Sequence, residues 1–180
     1  MDAPSPRPPA EGRYFVALRP AASARDALAG LAQSLAKRFG GRAIAAGDIH
    51  LTLAFVGSAP ASIEPPLRES LRALPAPGTL TLDRLGCFGR RLLWSGPGEP
   101  PPWLADLAQA LRAELDARGV AYDRKPFVPH LTLVRGARPV PADALREFAA
   151  GVEPIAAAGA QARVGTSGGA AAGSRYRWLD

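Results

Sequence analysis

The chain has 180 residues, 47% of them hydrophobic, which is enough for one domain with a substantial core. Its single cysteine excludes an internal disulfide and a multi-cysteine metal site, and we interpret Cys87 as a small buried side chain. The net charge of +6 favours attraction of polyanions, but it is mild support, because charge in an arginine-rich chain also spreads over solvated surfaces.

No apolar run approaches the length of a membrane span, and the first residues lack the basic and apolar segments of a signal peptide. No run of lysine and arginine is long enough to form a dedicated nucleic-acid-binding tail. We therefore expect a cytoplasmic protein without a membrane partner.

Periodicity and turn residues predict alternating strands and helices after a proline-rich, disordered tail at residues 1–12. The predicted strands cover, approximately, residues 13–18, 49–56, 79–85, 92–95 and 130–135, with three weaker strands after them. The predicted helices run from Ser23 as N-cap to Phe39, over residues 62–74, from Trp103 to Gly119 and over residues 142–149. Residues 156–173 are rich in Ala and Gly and lack periodicity, so the sequence pattern defines strands least well there.

The only two histidines, His50 and His130, each begin the same string, His-Leu-Thr-Leu, and the strings lie 80 residues apart. Residues i and i+2 of a strand share one face, so His50 projects with Thr52 and His130 with Thr132. A single string is a weak signal, because a lone histidine is usually a hydrogen-bonded structural residue. Two copies that use every histidine indicate a paired acid-base site.

Two facing imidazoles can divide the work of a displacement, since each titrates near neutral pH and one accepts a proton while the other donates one. The threonine hydroxyls beside them can donate hydrogen bonds to oxygen atoms of a group held between the rings. A phosphate suits this arrangement, because it has non-bridging oxygens for the hydroxyls and bridging oxygens for the acid and the base.

The two strings, with Pro126-Phe127-Val128-Pro129 before the second, resemble the motifs of the two-histidine (2H) phosphoesterase superfamily. The resemblance is closer to its RNA 2',3'-cyclic phosphodiesterase branch, historically called 2'-5' RNA ligase. It extends over most of the chain: residues 13–18 resemble the opening strand, 48–57 the first motif, 92–94 the central strand and 126–135 the second motif.

The order strand, helix, motif strand and helix occurs twice, which predicts a duplicated structure with the histidines on either side of a pseudo-two-fold axis. Together with the resemblance, this implies an α+β fold of two lobes, in which antiparallel sheets flank a central cleft and helices pack outside. We expect residues 13–180 to form this single two-lobed domain.

The resemblance implies hydrolysis of an RNA 2',3'-cyclic phosphate to a 2'-phosphomonoester, with 2'-5' RNA ligation as its possible reverse. By motif position His50 is the proton donor and His130 the proton acceptor, while Thr52 and Thr132 hold the charged equatorial oxygens. From the sequence alone the two histidine roles remain interchangeable, since the two strings are nearly identical.

Arg135 matches the family's arginine after the second motif and is expected to bind phosphate. Phe55, at the equivalent place in the first motif, is expected to stack on the terminal base or to pack in the core. Both side chains lie five residues after a histidine, which strict alternation puts on the opposite face of the strand. Their roles therefore require a bulge, strong twist or a strand end.

Two departures from the family's pattern concern how the nucleotide is held: Arg42-Ala43-Ile44-Ala45 replaces the usual tryptophan segment, and Lys125 stands where arginine is usual. No metal is expected, because two histidines without accompanying carboxylates are not a recognisable ligand set. No other cofactor is expected, and ATP use is disfavoured because the chain lacks a phosphate-binding Gly-x-x-x-x-Gly-Lys loop.

Two alternatives remain open at this point. The same site can serve 2'-5' oligonucleotides or small nucleotide cyclic phosphates, because the sequence does not show the outer wall of the cleft. The histidines can also belong to a non-catalytic module that binds RNA ends. In each case we expect a monomer that needs no protein partner.

Overall fold

The computed structural model describes residues 11–167 and 174–179. Its strands are β1 (Glu11–Arg19), β2 (Arg42–Ala43), β3 (Leu51–Pro60), β4 (Leu80–Leu82), β5 (Arg84–Phe88), β6 (Leu92–Gly96), β7 (Leu131–Arg135), β8 (Ile155–Ala157), β9 (Gln161–Ser167) and β10 (Tyr176–Leu179). Its helices are α1 (Ala22–Phe39), α2 (Glu64–Arg72), α3 (Pro102–Ala117) and α4 (Ala142–Ala150). The three weaker strands predicted after residue 149 correspond to β8, β9 and β10.

Several predicted boundaries differ from the structure. Residues 1–10 of the expected tail lie outside the described residues, and β1 already includes Glu11 and Gly12. The prediction of Ser23 as a helix cap is wrong, because α1 begins at Ala22 and its N-cap residue, Ala21, makes no side-chain hydrogen bond. Cys87 is only partly buried.

In the described residues, eight strands form one antiparallel sheet in the order β10-β9-β1-β3-β7-β6-β5, with β2 paired to β7, while β4 and β8 form a separate pair. The motif strands β3 and β7 are central and pair only at Leu51 and Leu131, the residues directly after the two histidines. Each motif strand has one long partner, β1 for β3 and β6 for β7. This order agrees with the predicted duplication, and the α+β antiparallel fold is confirmed.

One hydrophobic cluster connects both sides of the central strand pair. It includes Val16 of β1 and Leu133 of β7 together with Leu28 of α1 and Leu107 of α3, all nearly inaccessible to solvent. Helix α1 packs against β7, and α3 packs against β3. In the described part of the chain, no helix is both long and apolar enough to span a membrane.

Candidate active site

His50 follows a short 3-10 turn, Ala46–Asp48, that interrupts the pairing along the edge of β7. The ring atom Nδ1 lies 2.6 Å from the backbone carbonyl oxygen of Asp48, two residues earlier. Because a carbonyl oxygen only accepts, Nδ1 must carry the proton and donate it. In the neutral ring, Nε2 therefore has the free lone pair.

His130 is held in the same way although it follows an extended segment rather than a turn. Its Nδ1 lies 2.7 Å from the backbone carbonyl oxygen of Val128, again two residues earlier. The same donor argument leaves Nε2 as the free nitrogen of the neutral ring. The repeated string thus produces two imidazoles with the same tautomer and the same backbone anchor.

Each imidazole also packs on an aromatic ring from the strand that neighbours its own. Phe15 of β1 stacks on His50 with ring centroids 4.8 Å apart, and Trp94 of β6 lies 6.3 Å from His130. Each aromatic ring lies over a glycine of the next strand outward: a Cβ on Gly165 would be 2.3 Å from the Phe15 ring, and one on Gly86 would be 2.1 Å from the Trp94 ring. The glycines therefore leave the space that both aromatic supports need.

Burial lowers the pKa of His50 to about 4. This value already includes the positive charges of Arg135 and His130, which also lower the pKa, and the hydrogen bond to the carbonyl of Asp48 and the Asp48 carboxylate, which raise it. His50 is therefore neutral at pH 7 in the empty site. Its Nε2 can accept a proton, and Arg135 supplies positive charge near it.

The threonines lie where the repeated strings predict. Leu51 pairs with Leu131 in an antiparallel register, so one step along each strand sets Thr132 across from His50 and His130 across from Thr52. His50 and Thr132 line the same small cavity, and Thr52 lines the larger cleft beside it. Each histidine is thus near the threonine of the other string as well as its own.

Both motif strands contain a bulge at the same place. In the β1–β3 register Leu53 has no partner, and in the β6–β7 register Leu133 has none. An extra residue reverses the alternation of faces, so the residues beyond it change sides. Phe55 and Arg135 consequently both line the cleft that contains His50.

The cleft has a volume of about 250 Å³. Its lining combines cationic, aromatic and hydroxyl side chains: Arg13, Phe15, His50, Thr52, Phe55, Arg135, Ser167, Arg175 and Tyr176. His130 and Thr132 do not line this cavity. The His130 ring makes an edge contact with Phe88 at a centroid distance of 4.9 Å.

Sequence reasoning missed several lining residues. Arg13 and Phe15 alternate on the opening strand, and this pattern together with the repeat could have indicated them. Tyr176 and Arg175 had no such signal, because they follow an Ala/Gly-rich stretch of the sequence. Asp48 binds the chain before β10, accepting hydrogen bonds from Ser174 Oγ at 2.6 Å and Arg175 N at 2.8 Å.

The residues that the structure describes contain no group of three or more His, Cys, Asp or Glu side chains that could hold a metal ion. The site's cationic groups are arginines, which retain their charge at any physiological pH. These side chains can stabilise the charge of a phosphate.

This combination of paired imidazoles, threonines and arginine defines a phosphoester-processing class of site. The model of the 2'-5' RNA ligase superfamily matches residues 14–163, and the chain belongs to this family. The expected resemblance is therefore confirmed.

Two curated relatives carry the name RNA 2',3'-cyclic phosphodiesterase. The protein from Escherichia coli K12 is 42% identical over 99 residues, which is 54% of this chain and 56% of the relative. The protein from Geobacillus stearothermophilus is 36% identical over 113 residues, 57% of this chain and 36% of the relative. The chain thus spans about half, or less, of the length of the curated relatives it matches.

The structural similarity is more extensive. A crystal structure of E. coli LigT complexed with 3'-AMP matches with a TM-score of 0.72 and 30% identity, and the match covers 95% of this chain and 97% of that one. The whole fold, including both motif strands, is therefore shared with this solved structure.

Proposed function

We propose that this protein is a hydrolase that converts RNA 2',3'-cyclic phosphate ends into 2'-phosphomonoesters. One observation carries the proposal: two backbone-anchored histidines, each with a free Nε2 atom, directly precede the adjacent strands β3 and β7, which pair at Leu51 and Leu131. The names of the relatives support the choice of substrate. The strained cyclic ester has both a phosphorus that water can attack and a 3' oxygen that needs a proton.

The proposed reaction is one in-line displacement. Water attacks phosphorus as one Nε2 removes its proton, the bond between phosphorus and the 3' oxygen breaks, and the other imidazole protonates that oxygen. The products are a 2'-phosphomonoester and a 3' hydroxyl group. Thr52, Thr132 and Arg135 stabilise the charge on the non-bridging oxygens.

We keep His50 as the proposed acid and His130 as the proposed base, by their motif positions. A pKa of about 4 means that His50 Nε2 carries no proton at pH 7 until the substrate binds. The anionic phosphate favours the protonated form of a neighbouring imidazole, so its binding raises the pKa of His50. In this scheme the acid is charged by proton uptake together with the substrate.

The proposal is tested with a short RNA that ends in a 2',3'-cyclic phosphate, incubated with the protein in the presence of EDTA. We expect a 2'-phosphate product from the wild type and a loss of at least a hundredfold in rate for His50→Ala and for His130→Ala. A 3'-phosphate product would contradict the proposed regiochemistry. Affinity for the RNA without any turnover would favour the non-catalytic binding module.

A further inference from the structure

A second cavity adjoins the cleft on the side of β2 and has no part in the reaction above. Its volume is about 470 Å³, against about 250 Å³ for the cleft. We call it the side groove, and its lining includes Arg42, Ile44, Asp48, Arg175 and Tyr176. The space is larger than the reacting phosphate requires, so it is available to another part of a ligand.

The side groove is continuous with the cleft. Arg175 and Tyr176 line both cavities. A small cavity between them is lined by His50, Thr132 and Arg135 in addition to groove residues. A chain bound with its reacting phosphate at the histidines can therefore extend into the side groove without crossing the core.

Positive charge is concentrated where the two cavities meet. Arg42 of β2 is the direct cross-strand partner of Arg135 of β7, so the two side chains leave the sheet on the same face. Like charges at directly opposite positions repel each other. In the residues that the structure describes, neither guanidinium forms an ion pair with a carboxylate, and the buried Nε of Arg135 has no hydrogen-bond partner.

Asp48 also lines the groove, but in the described residues its carboxylate forms no ion pair with Arg42 or Arg135. Its Oδ1 accepts hydrogen bonds from Ser174 Oγ and the Tyr176 amide, and its Oδ2 accepts one from the Arg175 amide. Both oxygens of the Asp48 carboxylate therefore accept hydrogen bonds from the chain segment before β10 and at its start. The arginine pair thus lacks an anionic partner in the described part of the protein, and a phosphate would supply one.

We propose that Arg42 binds the phosphodiester next to the reacting phosphate and so makes the enzyme select RNA ends over nucleoside 2',3'-cyclic monophosphates. This inference rests on the proposed function and specifies its substrate class. Arginine suits the role because its planar fork binds two oxygens of one phosphate. Arg175, an exposed residue that lines both the groove and the cleft, adds positive charge along the same path.

The test compares kcat/KM for a nucleoside 2',3'-cyclic monophosphate with that for a dinucleotide ending in the same cyclic phosphate. Arg42→Ala should lower the value for the dinucleotide about tenfold more than the value for the monophosphate. Arg42→Lys should fall between, since it keeps the charge but loses the fork. Arg72→Ala is the matched control, because it removes an exposed arginine from the remote helix α2 and should leave the ratio unchanged.

Salt dependence separates phosphate binding from a structural effect. Removing one phosphate contact should make the slope of log(kcat/KM) against log salt concentration for the dinucleotide shallower by about 0.7. If Arg42→Ala lowers kcat/KM equally for both substrates and leaves the slope unchanged, the inference is overturned. Arg42 would then only help to hold Arg135 in place.

Binding is measured separately, so that the inference and the proposed function can fail independently. Fluorescence anisotropy of a labelled trinucleotide with a 2'-phosphate end gives its affinity without any turnover. If the wild type hydrolyses neither cyclic substrate, the proposed function fails. A weaker affinity of Arg42→Ala for the trinucleotide but not for a labelled mononucleotide still supports the side groove, and equal affinities overturn it.

Discussion

The two histidines have the same backbone anchor but different surroundings. His50 contacts three aromatic rings, Phe15, Tyr176 and Trp178, at centroid distances of 4.8, 5.2 and 5.4 Å. His130 contacts Phe88 and Trp94 only through ring edges and lies nearer the surface. A pair of identical strings thus yields two chemically unequal imidazoles, which is what an acid and a base require.

The low pKa of His50 has a consequence for stability. Its pKa of about 4 in the folded state lies below the ordinary value of 6.5, so the unfolded chain binds this proton more readily between those pH values. The contribution of His50 to the free energy of unfolding should therefore be complete above pH 6.5. The free energy of unfolding should fall by about 3 kcal/mol as the pH drops to 4.

Urea unfolding at pH 7 and pH 4.5 measures this change in the wild type, in His50→Asn and in His130→Asn. The His50→Asn variant should lose most of the difference between the two pH values, because its side chain does not titrate. The His130→Asn variant should retain the part of this difference in the free energy of unfolding that is due to His50. An unchanged difference in His50→Asn would show that other groups cause the acid sensitivity.

At the scale of the elements, Gly165 and Gly86 leave room for the aromatic rings of Phe15 and Trp94, which in turn contact His50 and His130. A Cβ on Gly165 would be 2.3 Å from the ring of Phe15, which is buried and stacked on His50. We expect Gly165→Ala to lower the free energy of unfolding by about 1 to 3 kcal/mol and to reduce kcat, since the displaced ring shifts the imidazole.

Gly30 provides the matched control for this substitution. A Cβ at this position in α1 meets no atom within 4 Å. Gly30→Ala should raise the free energy of unfolding by about 0.5 to 1 kcal/mol, because alanine favours the helix, and leave kcat unchanged. Urea unfolding and kcat are measured for both variants, and equal effects of the two would refute the packing argument.

The strand β10 depends on one buried carboxylate. Asp48 accepts three hydrogen bonds from residues 174 to 176, and an asparagine in its place has only one accepting atom. Asp48→Asn should lower the free energy of unfolding by about 1 to 3 kcal/mol. Hydrogen exchange should quicken at the amides of Arg175 and Tyr176 more than in β1.

The exposed Asp26 of α1 serves as the control for that change. Asp26→Asn removes the same charge and should alter neither stability nor exchange at β10. Uniformly faster exchange throughout the sheet in Asp48→Asn would mean that the carboxylate supports the whole fold and not β10 in particular.

At the scale of the whole molecule, one core serves both sides of the central strand pair. Leu51 and Leu131, which form that pair, are nearly inaccessible, and they belong to the same cluster as residues of α1 and α3. We therefore expect the predicted two-lobed domain to unfold as one cooperative unit.

Urea transitions followed by tryptophan fluorescence and by far-ultraviolet circular dichroism test this expectation. Two of the three tryptophans lie on opposite sides of the strand pair, Trp94 in β6 and Trp178 in β10, and the third, Trp103, lies in α3, so their signal reports on both sides. Coincident midpoints support one unit, and separate midpoints would indicate lobes that unfold independently. Gel filtration of the same samples tests the predicted monomer.

The sequence by itself determined the local structure of the site. The spacing of His50 and Thr52, repeated in His130 and Thr132, set hydroxyl and imidazole on one strand face, because side chains alternate along any strand. The same alternation required a bulge, strong twist or a strand end before Phe55 and Arg135, and the structure has bulges at Leu53 and Leu133.

Only the tertiary structure decided which distant residues complete the site. Tyr176 reaches His50 through strand pairing and the Asp48 anchor, neither of which leaves a local pattern. The pairing of Arg42 with Arg135 depends on β2, a strand of two residues that is too short for periodicity to predict. Alternation acts between neighbours in the chain, whereas burial, charge and the shape of a cleft depend on contacts between residues far apart in it.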